Sequence, residues 1–347
     1  MNYKLYHMSH TDLDGYGCQM VTKEYFENIN FYNSNYGKEI NERFNEIFND
    51  IQKDNFEKNI ILITDLNLTP EQAKDFESKV RVSQKNIMIM LLDHHKTGQD
   101  CANEFDWYYL DVNRCATKIT YDFFSSIFYE DKKLSKFVDV VNAVDIWLED
   151  KEEFELGKVC LGMVSGAKEI NRIMFPKENS WYMFELLTKI QPFFEKENPH
   201  IALDNNIHQI KKEILTQDHD DTLSNLVSKF NVKMLSSNKD KMRIDYNGYK
   251  GILTYNIGNV SVIGNDFLKS NPDFDFFMDI TSRKTISLRA NGKIDVSQMA
   301  SKIANGGGHP NASGGLMNGF KDSFVYETIK NQILTIINKN NGVQNGK

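Results

Sequence analysis

The sequence predicts an α/β protein with an N-terminal doubly wound, mostly parallel sheet, a helical linker and a smaller C-terminal α/β domain. Three observations carry that reading. Strand-sized apolar runs alternate with amphipathic helical patterns through residue 128, which is the signature of strand–helix–strand units. Three of these runs end in acidic or imidazole residues, at the position where open α/β sheets place their chemistry. Past Lys241 the texture changes to shorter strand-like runs, set apart by a polar helical stretch.

The first run, residues 4–9, leads into His10-Thr-Asp12-Leu-Asp14-Gly15. Residues 18–26 then read as a helix and 29–32 as a second strand. Ile40, Phe44, Ile47 and Ile51 recur at helical spacing in a polar background, marking an amphipathic helix that covers one sheet face. The run 59–64 ends at Asp65. After it, Thr69-Pro70-Glu71-Gln72 forms a capping-box pattern with proline at the first helical position, so a helix starts there and runs to about Lys79. The apolar run 86–92 suits a strand buried on both faces and delivers Asp93-His94-His95. A strand at 107–112 and helices at 116–128 and 134–143 follow, the last leading into Asp145-Ile-Trp147.

Residues 151–195 hold aromatic and Leu-rich helical segments in which Met163, Met174 and Met183 serve as core filler. Ile207, Ile210 and Ile214, then Leu223, Leu226 and Phe230, keep helical spacing and form the linker. Strands are expected at 242–246, 249–255, 260–263, 275–280 and 285–289, with a closing helix near 324–337. The domain limits are 1–195 for the first domain, 196–240 for the linker and 241–337 for the second domain. A polar tail, 338–347, is expected to be disordered.

With 347 residues the chain exceeds one ordinary core, which favours two domains. Its apolar runs are too short for a bilayer span and its start lacks a signal-peptide pattern, so no membrane partner and a cytoplasmic location are expected. Cys18, Cys101, Cys115 and Cys160 show no close pairing, which argues for reduced thiols rather than disulfides or a zinc ribbon. A net charge of −7 disfavours long duplex nucleic acid and points to small or short anionic substrates.

His10, Asp12 and Asp14 are spaced by two, so in an extended segment all three project to one side. Imidazoles and carboxylates without thiolates suit Mn²⁺, or Mg²⁺ or Co²⁺ in its place, better than structural zinc. The run Gly306-Gly307-Gly308 allows backbone N–H groups near a phosphate, with His309 and Arg289 adding donors. Arg114, Lys96 and Arg283 are candidates for extra phosphate contacts but read first as solvated charges.

Taken together, His10-Thr-Asp12-Leu-Asp14-Gly, Asp65, Asp93-His94-His95 and Asp145 resemble the successive motifs of the DHH phosphoesterase superfamily. Ser287-Leu-Arg289 and Gly306-Gly307-Gly308-His309-Pro-Asn-Ala312-Ser-Gly314 resemble its DHH-associated C-terminal domain, and the opening motifs are most similar to the NrnB-type oligoribonucleases. The resemblance implies a site for two divalent ions: His10 and Asp12 on one, Asp14, His94 and Asp145 on the other, and Asp65 on both. It also implies a phosphate-facing His95, supported by Asp93. The activity implied is hydrolysis of short single-stranded RNA or dinucleotides such as pGpG. Alternatives are cyclic-dinucleotide or 3′-phosphoadenosine 5′-phosphate hydrolysis, RecJ-like DNA exonuclease action, and a catalytically silent nucleotide sensor. Oligomeric state stays open, a homodimer included.

Overall fold

The computed structural model describes residues 2–340 and divides the chain into two units, Met1–Ala167 with Ser180–Ile210, and Lys168–Asn179 with Lys211–Lys347. The first unit runs β1 (Tyr3–Ser9), α1 (Leu13–Tyr25), β2 (Ile29–Asn33), α2 (Lys38–Lys53), β3 (Lys58–Thr64), α3 (Pro70–Val82), β4 (Ile87–Asp93), α4 (Gln99–Glu104), β5 (Tyr108–Leu110), α5 (Ala116–Ile127), α6 (Lys132–Asp145) and α7 (Phe154–Ser165). Most of α8 (Pro176–Ile190), all of α9 (Pro199–Asp204) and the start of α10 (Ile207–Leu215) complete it.

Its five strands are all parallel, in the order β2-β1-β3-β4-β5. Tyr6, Met8, Ile61, Ile63 and Leu91 pack on one face against the stripe of α2 and against Ala73 and Phe76 of α3. Leu5, Leu62 and Leu92 pack on the other against Ile119 and Phe124 of α5. The sheet is therefore covered on both faces, as a doubly wound fold requires. Thr69 accepts the Gln72 N–H while Gln72 accepts the Thr69 N–H, so the capping box at α3 forms as read. The strand order reverses between β1 and β3, which opens a crevice at their carboxyl ends.

Three expectations need correction here. The helix after β1 starts at Leu13 rather than residue 18, because the Asp12 side chain caps it by accepting the Gly15 N–H. Asp14 therefore lies in a first helical turn and not in an extended segment. Strand β4 is fully buried only from Leu91 onward, and Met88 is exposed, because β5 is three residues long and pairs only with Leu91–Asp93.

The second unit contains α11 (Leu223–Ser237), α12 (Lys239–Met242), β6 (Arg243–Tyr246), β7 (Tyr249–Tyr255), α13 (Val260–Ser270), β8 (Phe276–Ile280), β9 (Thr285–Ala290), α14 (Val296–Ala304), β10 (Gly307–His309), β11 (Ala312–Leu316) and α15 (Tyr326–Asn340). The stretch 196–240 is thus shared between the units. Six strands form a mixed sheet in the order β10-β11-β9-β8-β7-β6, with β7 and β8 its parallel pair. Residues 260–263, expected as a strand, are helical: Ile263, Gly264, Phe267 and Leu268 form one buried face, and that packing overrides the β-branched local preference. The glycine-rich stretch enters a short hairpin, β10–β11. Residues 338–340 of the expected tail belong to α15, and 341–347 lie outside the described residues.

All four cysteines are free and buried. Among the described residues no helix is long and apolar enough to cross a membrane.

Candidate metal centre

The first unit gathers every acid and imidazole that the sequence marked out in residues 10–145 around the crevice between β1 and β3. His10 and Asp12 follow β1, Asp65 follows β3, Asp93 ends β4 with His94 and His95 just after it, and Asp145 closes α6. They form two groups around one carboxylate. On one side His10 Nδ1 lies 2.8 Å from Asp12 Oδ2 and 3.7 Å from Asp65 Oδ2. On the other, His94 Nε2 lies 3.6 Å from Asp14 Oδ2, 3.4 Å from Asp65 Oδ1 and 3.5 Å from Asp145 Oδ2.

Local structure holds each group in place. Asp14 accepts the Ala116 and Thr117 backbone N–H groups at 2.8 and 2.7 Å, so its carboxylate sits on the amino end of α5, where the helix field favours negative charge. Gly15 has no alternative, since a Cβ there would collide with the His10 carbonyl. Asp65 adopts φ 55°, a left-handed conformation costing an ordinary residue about 1–2 kcal/mol, and its N–H is donated to the Leu92 carbonyl at the end of β4. Such strain persists where surrounding structure demands it and clusters at functional sites.

Electrostatics separate the residues. Burial, reinforced by the charges of Asp14 and Asp12, pushes Asp65 well above the carboxylate range. The same causes raise Asp145 to about 9. Burial would also raise Asp12, but the adjacent His10 imidazole and the Gly15 N–H hold it at about 2. Burial lowers His94 against the pull of Asp14, leaving a neutral imidazole with a lone pair to donate. His95 goes the other way: burial opposes its charge, yet the Asp93 hydrogen bond lifts it above the ordinary imidazole value.

These residues fit divalent cations. Four carboxylates crowd together with imidazoles, and the buried atom Asp65 Oδ2 has no hydrogen bond. Asp65 belongs both to the set with His10 and Asp12 and to the set with His94 and His95, and Asp14 and Asp145 form a third set with Cys115.

Three contributors were not singled out from the sequence. Tyr108 donates its hydroxyl to Asp93 Oδ2 at 2.8 Å, while Asp93 Oδ1 holds His95 Nδ1 at 2.8 Å. Tyr36 Oη and His95 Nε2 share a hydrogen bond of 3.0 Å. Cys115 caps α5 by accepting the Lys118 N–H, and burial with Asp14 beside it keeps the thiol protonated. Cys115 alone offered a clue, as the residue before a helix.

The remaining expected residues lie in the second unit. Arg289 on β9 and His309 on β10 both pair with Ala312 of β11, one on each side, so cross-strand register puts them on one sheet face. Arg289 donates to the Leu288 carbonyl and to Ser261 Oγ at 2.8 Å each, and His309 is exposed. Gly306 and Gly308 are needed by the hairpin itself, since a Cβ on either would strike the backbone of β11, and the Gly306 N–H goes to the Ala300 carbonyl. Gly307 faces open space. Arg114 is paired with Asp111 and Asp122.

No family model matches the sequence. The chain is 44% identical over 344 residues to the 3′,5′-cyclic-nucleotide phosphodiesterase of Helicobacter pylori, covering 96% of this chain and 99% of that one. It is 26% identical over 329 residues to the oligoribonuclease NrnB of Bacillus subtilis, covering 89% of this chain and 72% of that protein. The crystal structure of an uncharacterized Helicobacter pylori protein superposes with a TM-score of 0.92 at 43% identity, covering 97% of this chain and 99% of the other. Near-complete coverage at that identity, on a chain whose acids and imidazoles converge at one crevice, places it: the chain belongs to the family of the Helicobacter pylori 3′,5′-cyclic-nucleotide phosphodiesterase and is a hydrolase of phosphodiester bonds.

Proposed function

We propose that this protein is a divalent-metal-dependent phosphodiesterase of small 3′,5′-linked phosphodiesters. It would cleave 3′,5′-cyclic nucleotides and, by the same chemistry, very short oligoribonucleotides such as pGpG. The observation that carries this reading is Asp65, a buried and strained carboxylate common to two groups of acids and imidazoles. His10 and Asp12 would hold one ion, Asp14, His94 and Asp145 the other, with Asp65 on both and Mn²⁺ the preferred metal. Bound there, two such ions activate water and stabilise charge on the phosphoryl oxygens, so no side-chain nucleophile is required.

The chain's own residues do the rest. The α5 amides hold Asp14 in place, and Tyr108 fixes Asp93, which fixes His95 through Nδ1. That leaves Nε2 to hold or give a proton at the phosphate or at the leaving oxygen. Arg289, His309 and the glycine run would be the substrate-binding residues of the second unit.

A cyclic nucleotide and a short RNA present the same bond, a phosphate joined to ribose 3′ and 5′ oxygens. The relative matched end to end at 44% identity favours the cyclic nucleotide. The oligoribonuclease relative and the net charge of −7, poor for tracking long strands, favour short RNA as the second reading. A Mn²⁺ assay comparing 3′,5′-cyclic AMP and GMP, pGpG, RNA of about five nucleotides, RNA and DNA of about twenty-four, and 3′-phosphoadenosine 5′-phosphate tests both. Highest kcat/KM on the cyclic nucleotides or the shortest RNA is expected. Fastest processing of the long strands would instead favour a RecJ-like exonuclease, and tight nucleotide binding without turnover a sensor.

A further inference from the structure

We propose that Tyr36 is a substrate-binding residue of this site, its hydroxyl engaging a phosphate oxygen at the position where it now meets His95. The inference rests on the phosphodiesterase reading above. Tyr36 stands on the short loop between β2 and α2, and that loop is built with care. The Ser34 N–H is donated to the Ser9 carbonyl, Thr11 donates its hydroxyl to Asn35 Oδ1 at 2.8 Å, and Asn35 donates its backbone and side-chain N–H groups to Glu39 Oε2 at 2.9 and 3.0 Å. Gly37, at φ 80°, turns the chain into α2. The loop is therefore tied at once to the segment bearing His10 and Asp12 and to the first turn of α2.

The ring that this scaffold presents leans over the candidate metal residues. Its centroid lies 4.7 Å from that of His10 and 5.6 Å from that of His95, the second contact edge-on. Its hydroxyl shares a 3.0 Å hydrogen bond with His95 Nε2, the one nitrogen of that ring which Asp93 does not occupy. As packing, the side chain contributes little, for it is 41% exposed. A polar tip placed on the atom that should face the phosphate is better explained by what that tip contacts. A phenol both donates and accepts and is protonated at neutral pH, so it can share the imidazole in the free enzyme and turn to a phosphate oxygen on binding. Tyr36 and His95 then approach one phosphate together.

The test is Tyr36→Phe, which removes one oxygen from an exposed ring and leaves the loop's own hydrogen bonds untouched. A hydrogen bond to a charged acceptor corresponds to about ten- to hundredfold in binding. In the Mn²⁺-loaded protein, kcat/KM for the cyclic nucleotide should fall by about that factor and the inhibition constant of the product monophosphate should rise by a similar one. Metal content and melting temperature should match the parent. Kinetic constants within about twofold would overturn the proposal, and so would a fall in kcat alone with product inhibition unchanged, which would make Tyr36 only a support for His95. Loss of bound Mn²⁺ would overturn it as well. Calorimetric binding of inorganic phosphate separates this from the parent reading: if the parent protein hydrolyses no phosphodiester, weaker phosphate binding by Tyr36→Phe still upholds the contact, and equal binding sinks it.

Discussion

Both units bury an aspartate beside their sheets, Asp65 after β3 and Asp279 within β8, at 1% and 2% exposure. Asp279 accepts the Thr254 hydroxyl at 2.7 Å and the Ile257 N–H at 3.1 Å. Burial raises it to about 7, and those two donors restrain the rise. Asp65 is treated in the opposite manner. Its Oδ2 has no hydrogen bond, its backbone is strained, and the charges around it, from Asp14, Asp12 and Asp145, are of its own sign. The fold satisfies one buried acid with neutral donors, which makes it a structural link. It surrounds the other with like charges, an arrangement that a bound cation resolves and that, without one, a retained proton relieves.

Substitutions sharpen that contrast. Asp65→Asn should lower turnover by about 10³ or more, because an amide cannot balance two cations, whereas Asp279→Asn should leave kcat within about threefold and instead lower stability by about 1–3 kcal/mol through a poorly satisfied buried group. Rate assays beside denaturant unfolding check both, and the reverse pattern would break the comparison. His95→Ala should lose about 10² in rate while retaining its metal, since its proposed work is on the phosphate. A variant stripped of metal would move His95 among the ligands. In the second unit, Arg289→Ala and His309→Ala should raise KM by about tenfold with kcat and metal content little changed.

The smallest effect concerns pH in the chelated protein. Folded Asp145 keeps its proton to about pH 9, while in the unfolded chain an aspartate ionises near pH 4. Within that window the folded state binds the extra proton, so stability should fall as pH rises. Asp65, raised for the same reason, acts in the same direction. Melting temperatures across the window should slope downward, and either Asp145→Asn or saturating Mn²⁺ should flatten the slope. A rising slope would contradict the assignment.

Much of the first unit was legible because its signals are local. The apolar runs ending at Asp65 and at Asp93-His94-His95 announce both a strand and what the strand delivers, and Ile40, Phe44, Ile47 and Ile51 mark α2 by spacing alone. The early start of α1 escaped because Asp12 and Asp14 read as ligands in an extended segment, while Asp12 is also a helix cap. In the second unit the signals conflict: β-branched residues open α13, and glycines that carry no hydrophobic alternation form β10 and β11. Helix α14 had a readable pattern, Asp295 as cap followed by Val296, Met299, Ala300 and Ile303. Tyr36 and Tyr108 could not be read, because their partners His95 and Asp93 stand at and just after the end of β4, and only the folded sheet brings them together.

The central claim is that Asp65 is the shared member of a two-cation site, and metal stoichiometry tests it most directly. Mn²⁺ bound per chain, measured by elemental analysis after equilibration and confirmed by calorimetric titration, should approach two in the parent protein and fall below one in folded Asp65→Asn. Retention of the parent stoichiometry by Asp65→Asn, or binding of no more than one Mn²⁺ by the parent, would contradict the account.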